Sequence, residues 1–251
     1  MRIISIFLSL FVIFTHPLAF AQESQVQSST FSPKEMSRLS RGEVFSQGRY
    51  MEGVGVYGKM QGVIETSPKN VWMLFVRIND WKKYGLPNLA DARIVSEEVA
   101  NTVGDNPLVK NFYAVLGNRF VDPLTQRRPG QIWGNDSFQY YDIPWPVADR
   151  WMIVKHMYDE TKISQGIFRS EWSKLCGNVK TMEGSFLLEP FEGVSSRTLL
   201  TYEVRSNPNS HVPKFLLRWG AKRAMPASIR AIRHEAEREF GHPIPLLQMQ
   251  R

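Results

Sequence analysis

The apolar and polar positions along this chain predict two short helices around a strand, then a run of strands, then one long helix. Ser32-Pro33-Lys34-Glu35 joins a capping-box spacing to a proline at the first helical position, and Gly42 supplies a stop, so a helix is expected over Pro33 to Arg41. From Gly53 to Thr66, glycines and alternating apolar residues (Val54, Val56, Val63, Ile64) predict a bent strand. Ser67-Pro68 opens a second helix, in which Val71, Leu74, Phe75 and Ile78 recur at i, i+3, i+4 and i+7. Asp80-Trp81 and Gly85-Leu86-Pro87-Asn88 close it.

Strand then follows strand: Ala92 to Val99, Leu108 to Leu116, Gln131 to Ile143, Arg150 to Asp159, Ile163 to Leu175, Val179 to Glu189 and Arg197 to Arg205. Each is bounded by Gly, Pro, Asn or Asp, and the short spacings suit an antiparallel meander. The long amphipathic helix runs from Pro213 to Phe240, with Phe215, Trp219, Met225, Ile229, Ile232, Ala236 and Phe240 along one face. Pro226 lies inside it and predicts a kink, because a mid-helix proline loses a hydrogen bond and crowds the preceding turn. The sum is an α+β fold in which a curved antiparallel sheet wraps the last helix.

The residues ahead of this pattern read differently. Arg2, the apolar run Ile3 to Phe14 and the Ala19-Phe20-Ala21 cleavage site before Gln22 predict a signal peptide over residues 1–21. The apolar run is shorter than the ~20 residues of a spanning helix. Residues 22–32 are polar and read as a flexible leader, 33–240 as a single domain with a good-sized core, and 241–251 as a tail. Export places the protein in the periplasm if the source is Gram-negative. The single cysteine, Cys176, allows no internal disulfide and is read as packing.

The formal net charge of +7 is concentrated in part on the last helix, where Lys214, Arg218, Lys222, Arg223, Arg230 and Arg233 precede the first acidic residue, Glu235. That face is either solvated or set against an anionic membrane surface. Export argues against nucleic acid as a partner. Gly53-x-Gly55-x-x-Gly58 matches a dinucleotide fingerprint but leads into a strand rather than a helix, so it reads as a bent strand. There is no G-x-S-x-G elbow. Beyond the leader the histidines are His156, His211, His234 and His242, none paired at helical metal spacing, which argues against a zinc site.

Three stretches carry a resemblance: "VWMLFVRINDWKKYGLPNLADARIV" at 71–95, "YYDIPWPVADRWMIV" at 140–154 and "LLEPFEGVSSRTLLTYEVRSNPNSHVPKFLLRW" at 187–219. In them the chain resembles the steroidogenic acute regulatory protein-related lipid transfer (START) domains of the wider helix-grip superfamily. The resemblance implies an apolar cavity between sheet and final helix that holds a lipid or other hydrophobic molecule. It also sets the stiff loop carrying Trp145, with Arg150 after it, at the cavity mouth. Many relatives place a buried arginine six positions after the turn arginine, paired with an acidic residue on the preceding strand. Here the first position is His156 and the second falls near Tyr140, with Asp136 and Asp142 the nearest carboxylates, so the charged pair is absent in its usual form.

Alternation along the 150s strand puts Met152, Val154, His156 and Tyr158 on one face and Trp151, Ile153, Lys155 and Met157 on the other. One titratable group among apolar ones is the pattern of a cavity that fixes the polar end of a ligand. A core histidine satisfied by a backbone carbonyl fits the same pattern. If the same face points inward on neighbouring strands, Phe138, Tyr140, Phe186, Leu188, Leu200 and Tyr202 join it, with Met225 and Ile229 from the helix. Sheltering a chain of ~16 carbons would provide on the order of 10 kcal/mol before ordering costs, so binding calls for no cofactor, metal or catalytic group. The alternative on the same fold is a cyclase- or hydrolase-type enzyme, with His156 as acid-base group and Tyr140 or Tyr202 as orienting hydroxyls. A protein-interaction module that uses the groove for peptides is a third reading.

Overall fold

The computed structural model describes residues 31–51, 55–96, 98–99, 121–143, 149–207 and 214–241. Among these, eight antiparallel strands form one sheet: β1 (Phe45–Met51), β2 (Gly55–Ile64), β3 (Leu89–Val95), β4 (Ile132–Tyr141), β5 (Arg150–Asp159), β6 (Phe168–Gly177), β7 (Thr181–Phe191) and β8 (Val194–Asn207). Their order is β1-β2-β8-β7-β6-β5-β4-β3. The stretch from β3 to β8 is the expected meander, and its last strand returns to pair with β2. The turn between β7 and β8 is a two-residue loop, Glu192-Gly193, with φ of 52° and 76°. Positive φ at both positions is the hairpin geometry whose twist matches the flanking strands.

Helix α1 (Pro33–Ser40) has the expected capping box, with the Glu35 amide donating to Ser32 Oγ and the Ser32 amide donating to Glu35 Oε2. Ser67 caps α2 (Pro68–Val76) in the same way, through the Asn70 amide. That helix ends earlier than the periodicity predicts and passes into a 3-10 turn, Ile78–Tyr84, which Gly85 closes in the left-handed region. Val71, Leu74, Phe75 and Ile78 are all buried. The final helix, α3 (Lys214–Phe240), contains Pro226 within its length.

Several expectations need correction. Strand β1 has no predicted counterpart: its residues are mostly exposed, and pairing with β2 rather than apolar alternation makes it a strand. The strand expected over Ala92 to Val99 is Leu89–Val95. Ile163–Gln165 is a 3-10 turn, and the strand begins only at Phe168. The strand expected over Leu108 to Leu116 lies outside the described residues, as do residues 1–30.

Both helices lie on the concave side of the sheet. Helix α2 packs against β6, β7 and β8, while α3 crosses β1 and β2 and touches α2. The sheet therefore wraps α2 as much as the last helix. Two glycines of β2 allow α3 its close approach: a Cβ on Gly58 would sit 1.9 Å from Met225 Cε, and one on Gly62 2.8 Å from Ile229 Cγ2. Arg233 donates from Nε to the Val63 carbonyl at 2.9 Å and from Nη1 to the Gly42 carbonyl at 2.8 Å. It thus ties α3 to the sheet and to the end of α1, and is not part of a free basic face. Arg230 is exposed; the side chains of Lys214, Arg218, Lys222 and Arg223 lie outside the described residues.

A second apolar layer, Val95, Val99, Phe138, Trp151, Ile153 and Cys176, occupies the convex face of β3 to β6. Cys176 is buried within that layer, as the packing reading expects.

Candidate functional site

Antiparallel pairing sets which side chains share the concave face. On β5 these are Met152, Val154, His156 and Tyr158, all at most 2% exposed. Their cross-strand partners on β4 are Gln139, Ser137, Asn135 and Trp133 in that order. Residues directly opposite in a ladder point to the same face, so β4 turns Trp133, Asn135, Ser137, Gln139 and Tyr141 inward. Phe138 and Tyr140 point the other way. Tyr140 packs against the convex layer and donates its hydroxyl to Asp149 Oδ2 at 2.6 Å, where it holds the turn into β5. The expected placement of Tyr140 and Phe138 beside His156 is one residue out of phase.

The remaining expected residues come together on the concave side. His156 pairs in register with Trp172, Phe186 with Tyr202, and Leu188 with Leu200. Met225 and Ile229 reach this cluster from α3. Arg150, opposite Tyr141 at the end of β5, is 9% exposed and donates from Nη1 to the Asp149 carbonyl at 3.1 Å. Trp145 lies outside the described residues.

Aromatic rings line the concavity. Trp172, Phe186 and Tyr202 stack in one group, with Phe75 of α2 4.1 Å from Phe186, centroid to centroid. Trp133, Tyr158 and His156 stack in another, and Trp81 meets His156 edge-on at 5.9 Å. Tyr141, Phe186, Tyr202, Met182 and Met225 point inward but keep intermediate accessible surface. Burial raises the phenols of Tyr141 and Tyr202, and the charge that Tyr141 would carry raises that of Tyr202 further.

A polar row runs through this aromatic surface, and sequence reasoning missed most of it. Tyr141 donates to Gln139 Oε1 at 2.8 Å, and Gln139 Nε2 donates to Ser137 Oγ at 3.2 Å. Ser137 Oγ lies 2.8 Å from His156 Nε2. With one proton and two lone pairs, the serine can meet Nε2 as donor or as acceptor, so it satisfies either tautomer of a neutral imidazole. Burial keeps the ring neutral, pushing His156 down to about 3. Next to it, Tyr158 donates to Asn135 Oδ1 at 3.5 Å, while Nδ2 of Asn135, a residue 7% exposed, has no hydrogen-bond partner among the described residues.

A separate polar cluster sits at the end of β5. Glu160, wholly buried, accepts from Arg127, Trp72 and Trp133. Among the described residues there is no group of three or more His, Cys, Asp or Glu placed to hold a metal. Among them also, no helix is long and apolar enough to cross a membrane.

No protein-family model and no curated protein sequence matches this chain. Solved structures do. A STAR-related lipid transfer protein from Xanthomonas axonopodis superposes with a TM-score of 0.54 at 13% identity, covering 77% of this chain and 93% of that one. Human STARD10 gives 0.53 at 11% identity, over 88% of this chain and 80% of its own. Human StAR-related lipid transfer protein 5 gives 0.52 at 11% identity, over 79% and 83%. The chain has the START-like helix-grip fold. On its START-like sheet, His156 shares the concave face with Asn135, Ser137, Gln139 and Tyr141. At these identities the likeness establishes the architecture, and the chemistry of the site rests on the residues of this chain.

Proposed function

We propose that this protein binds a lipid or other hydrophobic small molecule between the concave face of its sheet and helix α3, for transport or storage. The observation that carries this reading is the set of aromatic and aliphatic side chains that point to the concave side yet are only half-buried, Phe186, Tyr202, Met182 and Met225 among them. Such a lining rewards burial of a hydrocarbon chain at roughly 25 cal/mol per Å². The lipid transfer proteins that share the fold support the choice of ligand class. Export by the segment 1–21, residence in the periplasm of a Gram-negative cell and transient contact of α3 with an anionic membrane belong to the same proposal. Its α3 is the natural lid, since Met225 and Ile229 close over the β2 glycines.

The enzymatic alternative fits the site less well. Tyr140 faces away from His156, and an imidazole with a pKa of about 3 is a weak base near neutrality. Native mass spectrometry of the protein purified from its own compartment, followed by solvent extraction, tests the proposal. A stoichiometric hydrophobic molecule is the expected result. A protein that is empty as isolated, and takes up no lipid from vesicles, overturns it.

A further inference from the structure

The hydrogen-bonding row has a selective consequence, which rests on the hydrophobic-ligand reading above. Within it, Tyr141, Gln139, Ser137 and His156 satisfy one another in a chain. Asn135 does not close: Oδ1 accepts from Tyr158, and Nδ2 is buried with no acceptor among the described residues. A buried amide donor without a partner costs about 1 to 3 kcal/mol, so an oxygen that reaches it recovers that loss on binding. Asn135 stands opposite His156 on the concave face, between the stacked Trp133–Tyr158 pair and the aromatic wall that begins at Trp172. Its donor therefore faces the side of the sheet on which a ligand would lie.

The surroundings also set the charge of that ligand. Asp136 and Lys155, the nearest charged positions in sequence, pair with each other in register on the opposite face. Glu160 is occupied by Arg127. Arg150, on the same face of β5, stands opposite Tyr141, at the far end of the strand from the His156–Asn135 pair, and turns Nη1 to the Asp149 carbonyl. An anionic head placed at Asn135 would lose its hydration without an adjacent counter-charge, which is far more costly than burying an ester. We propose that Asn135 and the neutral row beside it select a ligand whose buried polar group is an uncharged oxygen acceptor, such as an ester or ketone carbonyl, and reject a carboxylate or phosphate.

Displacement of bound Nile red near neutral pH by methyl laurate, laurate and dodecane tests this with three chains matched in length. Methyl laurate is expected to displace the dye at a concentration lower than laurate by about tenfold or more. Asn135→Leu is expected to remove the advantage of methyl laurate over dodecane while the dye still binds. Laurate competing as well as its ester overturns the proposal, as does an unchanged ester advantage in a folded Asn135→Leu variant. The wild-type ratio decides the matter if that variant does not fold. If the protein neither binds Nile red nor responds to any of the three chains, the hydrophobic-ligand reading itself fails. Dye displaced by all three alike retains that reading and overturns the selectivity.

Discussion

Arg127 grips the buried carboxylate of Glu160 through two bonds, Nε to Oε1 at 2.8 Å and Nη2 to Oε2 at 3.0 Å. The indoles of Trp72 and Trp133 add bonds of 2.7 and 3.3 Å to Oε1. Burial alone would raise this carboxyl, but the bonds from Arg127, Trp72 and Trp133 and the arginine charge outweigh it and hold the group below its usual range. One residue thus joins α2, the segment around 127 and the strands β4 and β5. Removing one partner of such a pair leaves the other charge stranded. Glu160→Ala should lower the unfolding free energy by about 3 to 5 kcal/mol in urea titration, and the double variant Glu160→Leu/Arg127→Met should cost less than the single one.

His156 should make stability depend on pH. Its folded-state pKa of about 3 lies below the ~6.5 of an unfolded chain. Between those values the unfolded chain binds a proton that the folded one does not, so stability falls as pH falls, by at most ~1.4 kcal/mol per unit. Glu160, also depressed, contributes stability above the ~4.3 of an unfolded glutamate and loses it as pH drops from there through its lower folded value. The loss from pH ~6.5 down to ~5 therefore belongs to the histidine, and His156→Gln should flatten the urea midpoint over that window.

Two neighbouring residues on β4 should behave in opposite ways. Tyr140→Phe removes the bond to Asp149 on the convex side and should cost about 1 kcal/mol of stability while leaving lipid uptake intact. Gln139→Leu cuts the row between Tyr141 and Ser137 and should change which lipid is retained, read by native mass spectrometry. Equal effects on retention from both substitutions would contradict the assignment of faces.

The seat of α3 on β2 depends on the absence of two side chains. Gly62→Val should destabilise by about 1 to 3 kcal/mol, because Ile229 Cγ2 and Arg233 Nη2 lie within 2.8 and 3.3 Å of the new Cβ. Gly58→Ala should cost less, since the obstructing atoms are the far end of Met225, a flexible thioether. Thermal unfolding of the two variants compares them directly, and faster lipid release from Gly62→Val than from wild type would mark α3 as the lid.

The sequence by itself determined the element order and much of the core. The two caps, the apolar spacing of α2, the strand Arg150 to Asp159 and its inward face Met152-Val154-His156-Tyr158 were all legible, because local hydrogen bonding and period-two alternation are local properties. The polar row was not. On β4 both faces are covered: Phe138 and Tyr140 pack into a convex layer, while Asn135, Ser137 and Gln139 look like a solvent face yet turn inward. Alternation shows that two faces differ, and only pairing with β5 shows which of them shares a side with His156. β1 and the Arg127–Glu160 pair belong to the same class, since each exists through a partner distant in sequence. The tertiary structure decided that the groups around His156 are neutral, because those that satisfy it come from a neighbouring strand 17 and 19 residues away.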